Sequence, residues 1–365
     1  MTAGQEATAE FRTAAYHYEL PRELVATRPP VARDQARLLV LPRKAGRDPI
    51  AHRRFADLGE FLRAGDCLVL NETRVLKARL YGRRKDTGGG VELLLLGPAV
   101  DESDGVWEAI GRPGKRLLPG AQLEFGAGAI AGEVLSLEAG GRRRIRLTTS
   151  AGTLTDKVAE VGHMPIPPYL GRKDDERDVH DYQTVYARVP GGVAAPTAGL
   201  HFTPELLADL AASGVTIARL ILHPGPGTFR PVESADLRAH RLDPERFLLP
   251  ETVADAIGDT KARGGRVVAV GTTVVRTLEA QAIQARTARD RRPVLPGEGL
   301  TDLFIYPPFE FQVVDALVTN FHLPQSTLLM LVCAFAGRER VLDAYQEAVA
   351  EGYLFYSYGD AMLIA

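Results

Sequence analysis

The chain has 365 residues, enough for two or three domains with a sizeable core, and 45% hydrophobic with 25% charged residues is ordinary for a globular protein. Its formal net charge of −2 excludes a globally basic nucleic-acid binder, although a local basic face remains open. Two cysteines, Cys67 and Cys333, are too few for a disulfide framework or a thiolate metal site and read as buried free thiols in a reducing compartment.

Residues 1–15 are small and polar, without the apolar core of a secretion signal, and read as a disordered or tag-like leader. Residues 16–25 read as an extended piece and a Pro-started turn. Residues 28–41 read as a Pro-rich loop, with Arg33, Asp34 and Arg37 as an ion-pair network, leading into a strand. A buried strand at 67–70 runs into Asn71-Glu-Thr-Arg-Val75. From 76 to 149 the runs 78–82, 91–96, 106–110, 122–125, 130–135 and 144–147 alternate with Gly- and Pro-rich turns and no helical pattern appears. That texture predicts a small all-β barrel or sandwich.

After Ser150 strands alternate with helices. Helices are expected at 204–213, 251–263, 274–286, from Ser326, and at 338–352; strands are expected at 215–223, 266–270, 302–306 and 312–319, with a short one before Tyr356. The expected fold is a mixed α/β main domain, 1–75 with 150–365, holding parallel strand pairs, with a barrel-like domain inserted at 76–149. No apolar run spans a membrane; 328–336 fits a buried helix, and a cytoplasmic protein is expected.

Ligands of α/β folds collect where strand ends meet loops and helix starts. Four such junctions carry chemistry-bearing residues. In 194–207, Thr203 is placed to cap a helix with Pro204 at its first position, so Thr197, Gly199 and His201 lie in a loop feeding a helix N-terminus. This suits an anionic or oxyanionic ligand; a tight turn with a satisfied His is the plainer reading. In 222–231, His223, Gly225, Gly227 and Thr228 follow a strand end, where glycines permit close backbone approach, although a Pro/Gly linker is also possible.

The third junction, Val270-Gly-Thr-Thr-Val-Val-Arg276, lacks the Lys of a P-loop and the glycines of a dinucleotide fingerprint. It suits a carboxylate, with Arg276 as a two-pronged partner if it faces inward. The fourth, 318–326, places Thr319, Asn320 and His322 at a strand end, where His322 reads equally well as a satisfied core histidine. No Cys/His spacing reads as zinc and no Asp/Glu cluster as magnesium, so no metal is expected.

Eight motifs stand in order from Asn71-Glu-Thr-Arg74 through Pro165-Ile-Pro-Pro-Tyr169, Tyr182-Gln-Thr-Val-Tyr186, Ala194-Ala-Pro-Thr-Ala-Gly-Leu-His-Phe202, Gly227-Thr-Phe-Arg-Pro231, Val270-Gly-Thr-Thr273 and Thr319-Asn-Phe-His-Leu-Pro324 to Ser357-Tyr-Gly-Asp360. With them the chain, from Tyr18 to Ile364, resembles the S-adenosylmethionine:tRNA ribosyltransferase-isomerase family, which forms epoxyqueuosine. The resemblance implies S-adenosylmethionine as ribosyl donor and co-substrate. It implies 7-aminomethyl-7-deazaguanine at the tRNA wobble position as acceptor, with adenine and methionine released.

The family's proposed chemistry begins by removing a proton from the 5′ carbon beside the sulfonium. His201, His223 and His322 are the candidate bases, His201 first. Thr197, Thr228, Thr272 and Asn320 are candidate donors to developing oxyanions. Gly199, Gly225, Gly227, Gly271, Thr272, Thr273, Arg276, Thr319, Asn320, Tyr358 and Asp360 are expected around the donor; Asn71, Thr73, Arg74, Tyr182, Gln183 and Arg230 are expected around the acceptor.

The chain departs from the family pattern at Pro224 and Pro226, at Asp243 in place of a His, at Phe309 in place of a Tyr, and at Leu354 in place of an Arg. Losing a His and an Arg from a site that meets polyanionic RNA keeps an alternative open. In it, a paralogue uses S-adenosylmethionine in similar chemistry on a small-molecule acceptor. The junction histidines speak against a catalytically silent RNA-binding protein. The missing Gly-rich loop after a first strand speaks against an ordinary methyltransferase.

Overall fold

Four apolar runs, Cys67–Asn71, Val267–Val270, Ala316–Asn320 and Ala361–Ile364, are buried along their whole length, as strands covered on both faces are. They form the centre of a nine-stranded mixed sheet in the order Gly297–Thr301, Glu245–Leu249, Thr216–Leu222, Cys67–Asn71, Val267–Val270, Ala316–Asn320, Ala361–Ile364, Arg37–Leu41, Ala51–Arg54. The computed structural model describes residues 10–44, 46, 49–99, 105–225, 227 and 232–365. The sheet belongs to one of two units, Met1–Thr73 with Thr184–Val189 and Pro196–Ala365; the other is Arg74–Gln183 with Pro190–Ala195.

Alternation along the strands builds a core on each face of the sheet. Cys67 and Val69 join a core formed with helices Glu251–Ala262, Thr272–Thr287, Thr327–Ala336 and Arg338–Ala350. Leu68 and Leu70 join another, with Phe55, Phe202 and helix Pro204–Ala212. Both cysteines are buried free thiols.

Thr216–Leu222, Cys67–Asn71, Val267–Val270 and Ala316–Asn320 are neighbours and mutually parallel, so all four end at one edge. Ala361–Ile364 is antiparallel to the last of them and starts at that edge, with Ala361 opposite Asn320. Glu245–Leu249 also starts there, being antiparallel to Thr216–Leu222.

In the second unit a closed six-stranded barrel runs Arg142–Thr149, Val106–Arg112, Gly90–Pro98, Arg79–Arg84, Gln122–Phe125, Ile130–Leu137 around Leu80, Leu93, Leu123, Phe125, Ile145 and Leu147. Helix Leu154–Val161 follows, capped by Thr153 accepting from the Asp156 N–H. The expected mixed α/β class and small all-β barrel are both present.

Three expectations fail locally. The strand expected at 302–306 lies instead at Gly297–Thr301, paired with Glu245–Leu249, and just beyond it the Leu303 carbonyl accepts from the Arg276 guanidinium at 3.0 Å. No strand forms before Tyr356; only Phe355 bridges to Val25, and the strand follows at Ala361–Ile364. Residues 10–15 of the expected leader are packed: Thr13 is buried, its N–H donating to the Ala235 carbonyl at 3.1 Å and its hydroxyl to Ser234. Their partners lie more than two hundred residues on, beyond the reach of composition.

Candidate active site

The shared strand edge gathers the four junctions. Asn71, at the end of its strand and fully buried, ties two of them together. Its Nδ2 donates to the Leu222 carbonyl at 2.8 Å and to Thr273 Oγ1 at 3.2 Å, while its Oδ1 accepts from the Leu222 and Thr73 N–H groups, both at 3.1 Å. Thr73 Oγ1 lies 2.8 Å from His223 Nδ1, and the His223 N–H is anchored on the Arg246 carbonyl. His223 is half-buried, and desolvation, with the Arg246 charge, lowers its pKa.

Next along the edge, Gly271 takes φ +89° and ψ 154°, a conformation essentially reserved for glycine, and opens helix Thr272–Thr287. The helix N-terminus, with Thr272 and Thr273 in its first turn, therefore stands at the strand ends and suits a carboxylate or other anion. The Gly271 N–H donates to the Val318 carbonyl, holding this turn to the neighbouring strand.

The Thr197–His201 turn packs beside Gly271 through Ala198, and Thr203 caps the following helix by accepting from the Leu206 N–H at 3.1 Å. His201 is 2% exposed, with Phe55 stacked at 5.0 Å between ring centroids and Asn320 Nδ2 at 3.2 Å from its Nε2. Burial pushes its pKa down to about 4. His322 is buried as well, with Nε2 at 2.8 Å from Thr319 Oγ1, and burial pushes it down to about 3. Both rings are neutral near pH 7.

Other expected residues are committed elsewhere. Arg276, expected to grip a carboxylate, is buried in an ion pair with Glu245 and holds two main-chain carbonyls, so its fork is occupied. The other Glu245 oxygen accepts the Gly225 N–H at 2.8 Å. Asp360 accepts the Arg37 and Leu354 N–H groups, each at 2.7 Å, and ties the chain end to an early strand. Asn71, expected at the acceptor, spends its whole amide on the bonds given above. Tyr358 is buried near Asp360.

Gly227, Asp243, Glu245, Arg276 and Thr327 line a small pocket in which Asp243 sits beside Gly227. Arg74, Tyr182 and Gln183 belong to the second unit. There Arg74 is exposed, Tyr182 is buried, and the Gln183 amide pairs with the Val75 main chain at 3.0 and 2.7 Å. Thr228 and Arg230 lie outside the described residues.

Thr184 and Tyr186 share a motif with Tyr182 and Gln183, and nothing local in the sequence singles them out. Both lie against Gly199: a Cβ there would stand 2.0 Å from the Tyr186 hydroxyl, so only glycine admits the phenol. Their hydroxyls are buried without a hydrogen-bond partner among the described residues. Among those residues no helix is long and apolar enough to cross a membrane, and no group of His, Cys, Asp and Glu is gathered as a metal site.

The carboxyl edge of the parallel strands, with buried His, Thr and Asn side chains and a helix N-terminus, is the kind of place where α/β enzymes take small polar ligands. A family model described as "Queuosine biosynthesis protein" matches residues 13–364, and the chain belongs to that family. It is 52% identical over 357 residues to the S-adenosylmethionine:tRNA ribosyltransferase-isomerase of Thermus thermophilus, covering 96% of this chain and 98% of that protein. The protein of the same name from Symbiobacterium thermophilum is 50% identical over 353 residues, covering 97% of this chain and 99% of that one. A crystal structure of S-adenosylmethionine tRNA ribosyltransferase from Thermotoga maritima is similar at a TM-score of 0.52 and 38% identity, covering 96% of this chain and 100% of that one.

Proposed function

We propose that the enzyme transfers and isomerises the ribosyl group of S-adenosylmethionine onto 7-aminomethyl-7-deazaguanine at the tRNA wobble position. The products are epoxyqueuosine, adenine and methionine. The observation that carries this reading is the convergence of the four junctions on one sheet edge, in a chain at least 50% identical along its length to proteins named for that donor and for tRNA. In this reading the N-terminus of helix Thr272–Thr287 receives the donor's carboxylate, since Arg276 is already paired.

Removal of the proton beside the sulfonium needs a neutral imidazole with a free lone pair. His223 is the best placed of the three. It is the least buried, and with Thr73 accepting from Nδ1–H its Nε2 keeps a lone pair that meets no other described residue. His201 and His322, at about 4 and 3, are the weaker bases. Thr197 and Thr272, near the turn and the helix start, are the proposed donors to developing negative charge.

Asp243 in the pocket beside Gly227 favours a second reading, in which the same donor meets a small-molecule acceptor. One assay separates the two. The protein is incubated with S-adenosylmethionine and tRNA bearing the deazaguanine, and adenine and methionine are measured by chromatography. Release that depends on tRNA is expected. Release with the free base or another amine in its place supports the second reading, and release under neither condition overturns both.

A further inference from the structure

The amide of Asn320 can be oriented from its neighbours. Asn320 is 2% exposed, and its Nδ2 stands 3.1 Å from the Tyr356 carbonyl and 3.2 Å from His201 Nε2. A main-chain carbonyl only accepts, so the amide atom facing it carries hydrogens; the reversed amide would set two oxygens against each other. One N–H therefore goes to Tyr356 and the other to His201 Nε2, which must accept.

The neutral ring then keeps its proton on Nδ1. The lone pair of His201 is thus engaged at Nε2 and is not free to take a proton from a substrate. The amide oxygen is left over. Asn320 Oδ1 is buried with no hydrogen-bond partner among the described residues, and a buried acceptor left unmatched is costly.

We propose that Asn320 Oδ1 is the acceptor for an uncharged N–H or O–H donor on the nucleoside part of the ligand, and that His201 positions this amide rather than acting as the base. The donor is a ribose hydroxyl or the exocyclic purine amine; a ring nitrogen or a carboxylate, which only accept, would be repelled. The inference rests on S-adenosylmethionine being the ribosyl donor, and it deepens that reading.

Calorimetry tests it with wild type and Asn320→Ala, titrated with S-adenosylmethionine and with its 2′-deoxy, 3′-deoxy and N6,N6-dimethyl analogues. One analogue is expected to lose about tenfold in affinity for the wild type, the size of one hydrogen bond. Asn320→Ala should weaken S-adenosylmethionine by a similar factor and abolish that analogue's disadvantage; which analogue it is names the donor group. Equal analogue losses in both proteins overturn the proposal. Should the wild type bind no S-adenosylmethionine, the donor reading fails and takes this inference with it. If Asn320→Ala does not fold, His201→Ala, in which the amide is no longer held, carries the same comparison and should shrink the same difference.

The positioning role has its own readout. His201→Ala should raise KM for S-adenosylmethionine more than it lowers kcat. His201→Gln, whose amide oxygen can accept from Asn320 Nδ2, should recover KM and leave the pH dependence of kcat unmoved. A Gln variant as impaired in kcat as Ala, by the 10²–10⁴ expected of a missing base, would make His201 the base and sink the positioning role.

Discussion

Asn71 and Asn320 end two parallel strands of the same sheet with one strand between them, and their amides are used in opposite ways. Asn71 makes every bond that its amide can direct at a neighbour, joining Leu222, Thr73 and Thr273 across three chain segments. Asn320 spends its nitrogen on Tyr356 and His201 and keeps its oxygen unmatched among the described residues. Burial alone does not distinguish them, at 0% and 2% exposed. The accounting of donors and acceptors does: the saturated amide of Asn71 is a structural knot, and the unmatched oxygen of Asn320 is the one proposed to meet a ligand. The two histidines tied to them divide likewise. His223, reached from the Asn71 knot through Thr73, is engaged at Nδ1, which leaves Nε2 for the proposed chemistry, whereas the Nε2 of His201 faces the Asn320 amide.

The largest effect should come from His223→Ala. Loss of a general base is expected to lower kcat by roughly 10²–10⁴ with little change in melting temperature, because the ring is only half-buried. Thr73→Val should cost about tenfold and change the pH profile of kcat, and Thr73→Ser should restore both, since it keeps the oxygen facing Nδ1. Steady-state kinetics across pH reads these outcomes. Turnover that survives His223→Ala moves the base to His322 or His201 and breaks the division between the two histidines.

Next comes stability at the knot itself. Asn71→Ala leaves the Leu222 N–H and carbonyl and the Thr73 N–H without their partner in the interior, at about 1–3 kcal/mol for each unmatched group before relaxation. A loss of about 4 kcal/mol in urea unfolding is expected, against about 2 kcal/mol for Asn320→Ala, which strands only Tyr356 and His201. Equal losses would mean that Asn320 is as structural as Asn71.

The junctions themselves were legible in the sequence because each sets a Gly, Thr or His cluster at a strand end or before a helix start, and local spacing carries that signal. What each side chain does there was not. Arg276 and Glu245 are 31 residues apart, and Asp360 reaches Arg37 across 323, so nothing local shows that their charges are already used. Asn71 looked like a substrate contact for the same reason, its partners at Leu222 and Thr273 being 151 and 202 residues away. The edge strand Ala51–Arg54, exposed over most of its length, has no apolar alternation to announce it. The barrel was the easier reading, since its strands pair mainly with sequence neighbours through short turns.

The smallest effect isolates the neutral state of His201. Its pKa falls from 6.5 to about 4 on folding, so below pH 6.5 the unfolded chain takes up a proton that the folded ring refuses. The ring's contribution is fully present above pH 6.5 and is lost as pH falls toward 4. At 1.36 kcal/mol per pKa unit, this amounts to about 2 kcal/mol between pH 7 and pH 5. His201→Gln removes the titrating group while keeping an acceptor for Asn320, so its unfolding free energy should fall less steeply over that interval. The remaining slope should include His322, whose pKa is lowered to about 3 by the same burial. Urea unfolding of both proteins at pH 7, 6 and 5 measures the difference directly. Parallel slopes would show that the folded ring accepts a proton as readily as the unfolded one, which is incompatible with an Nε2 closed by the Asn320 amide and would return His201 to the list of bases.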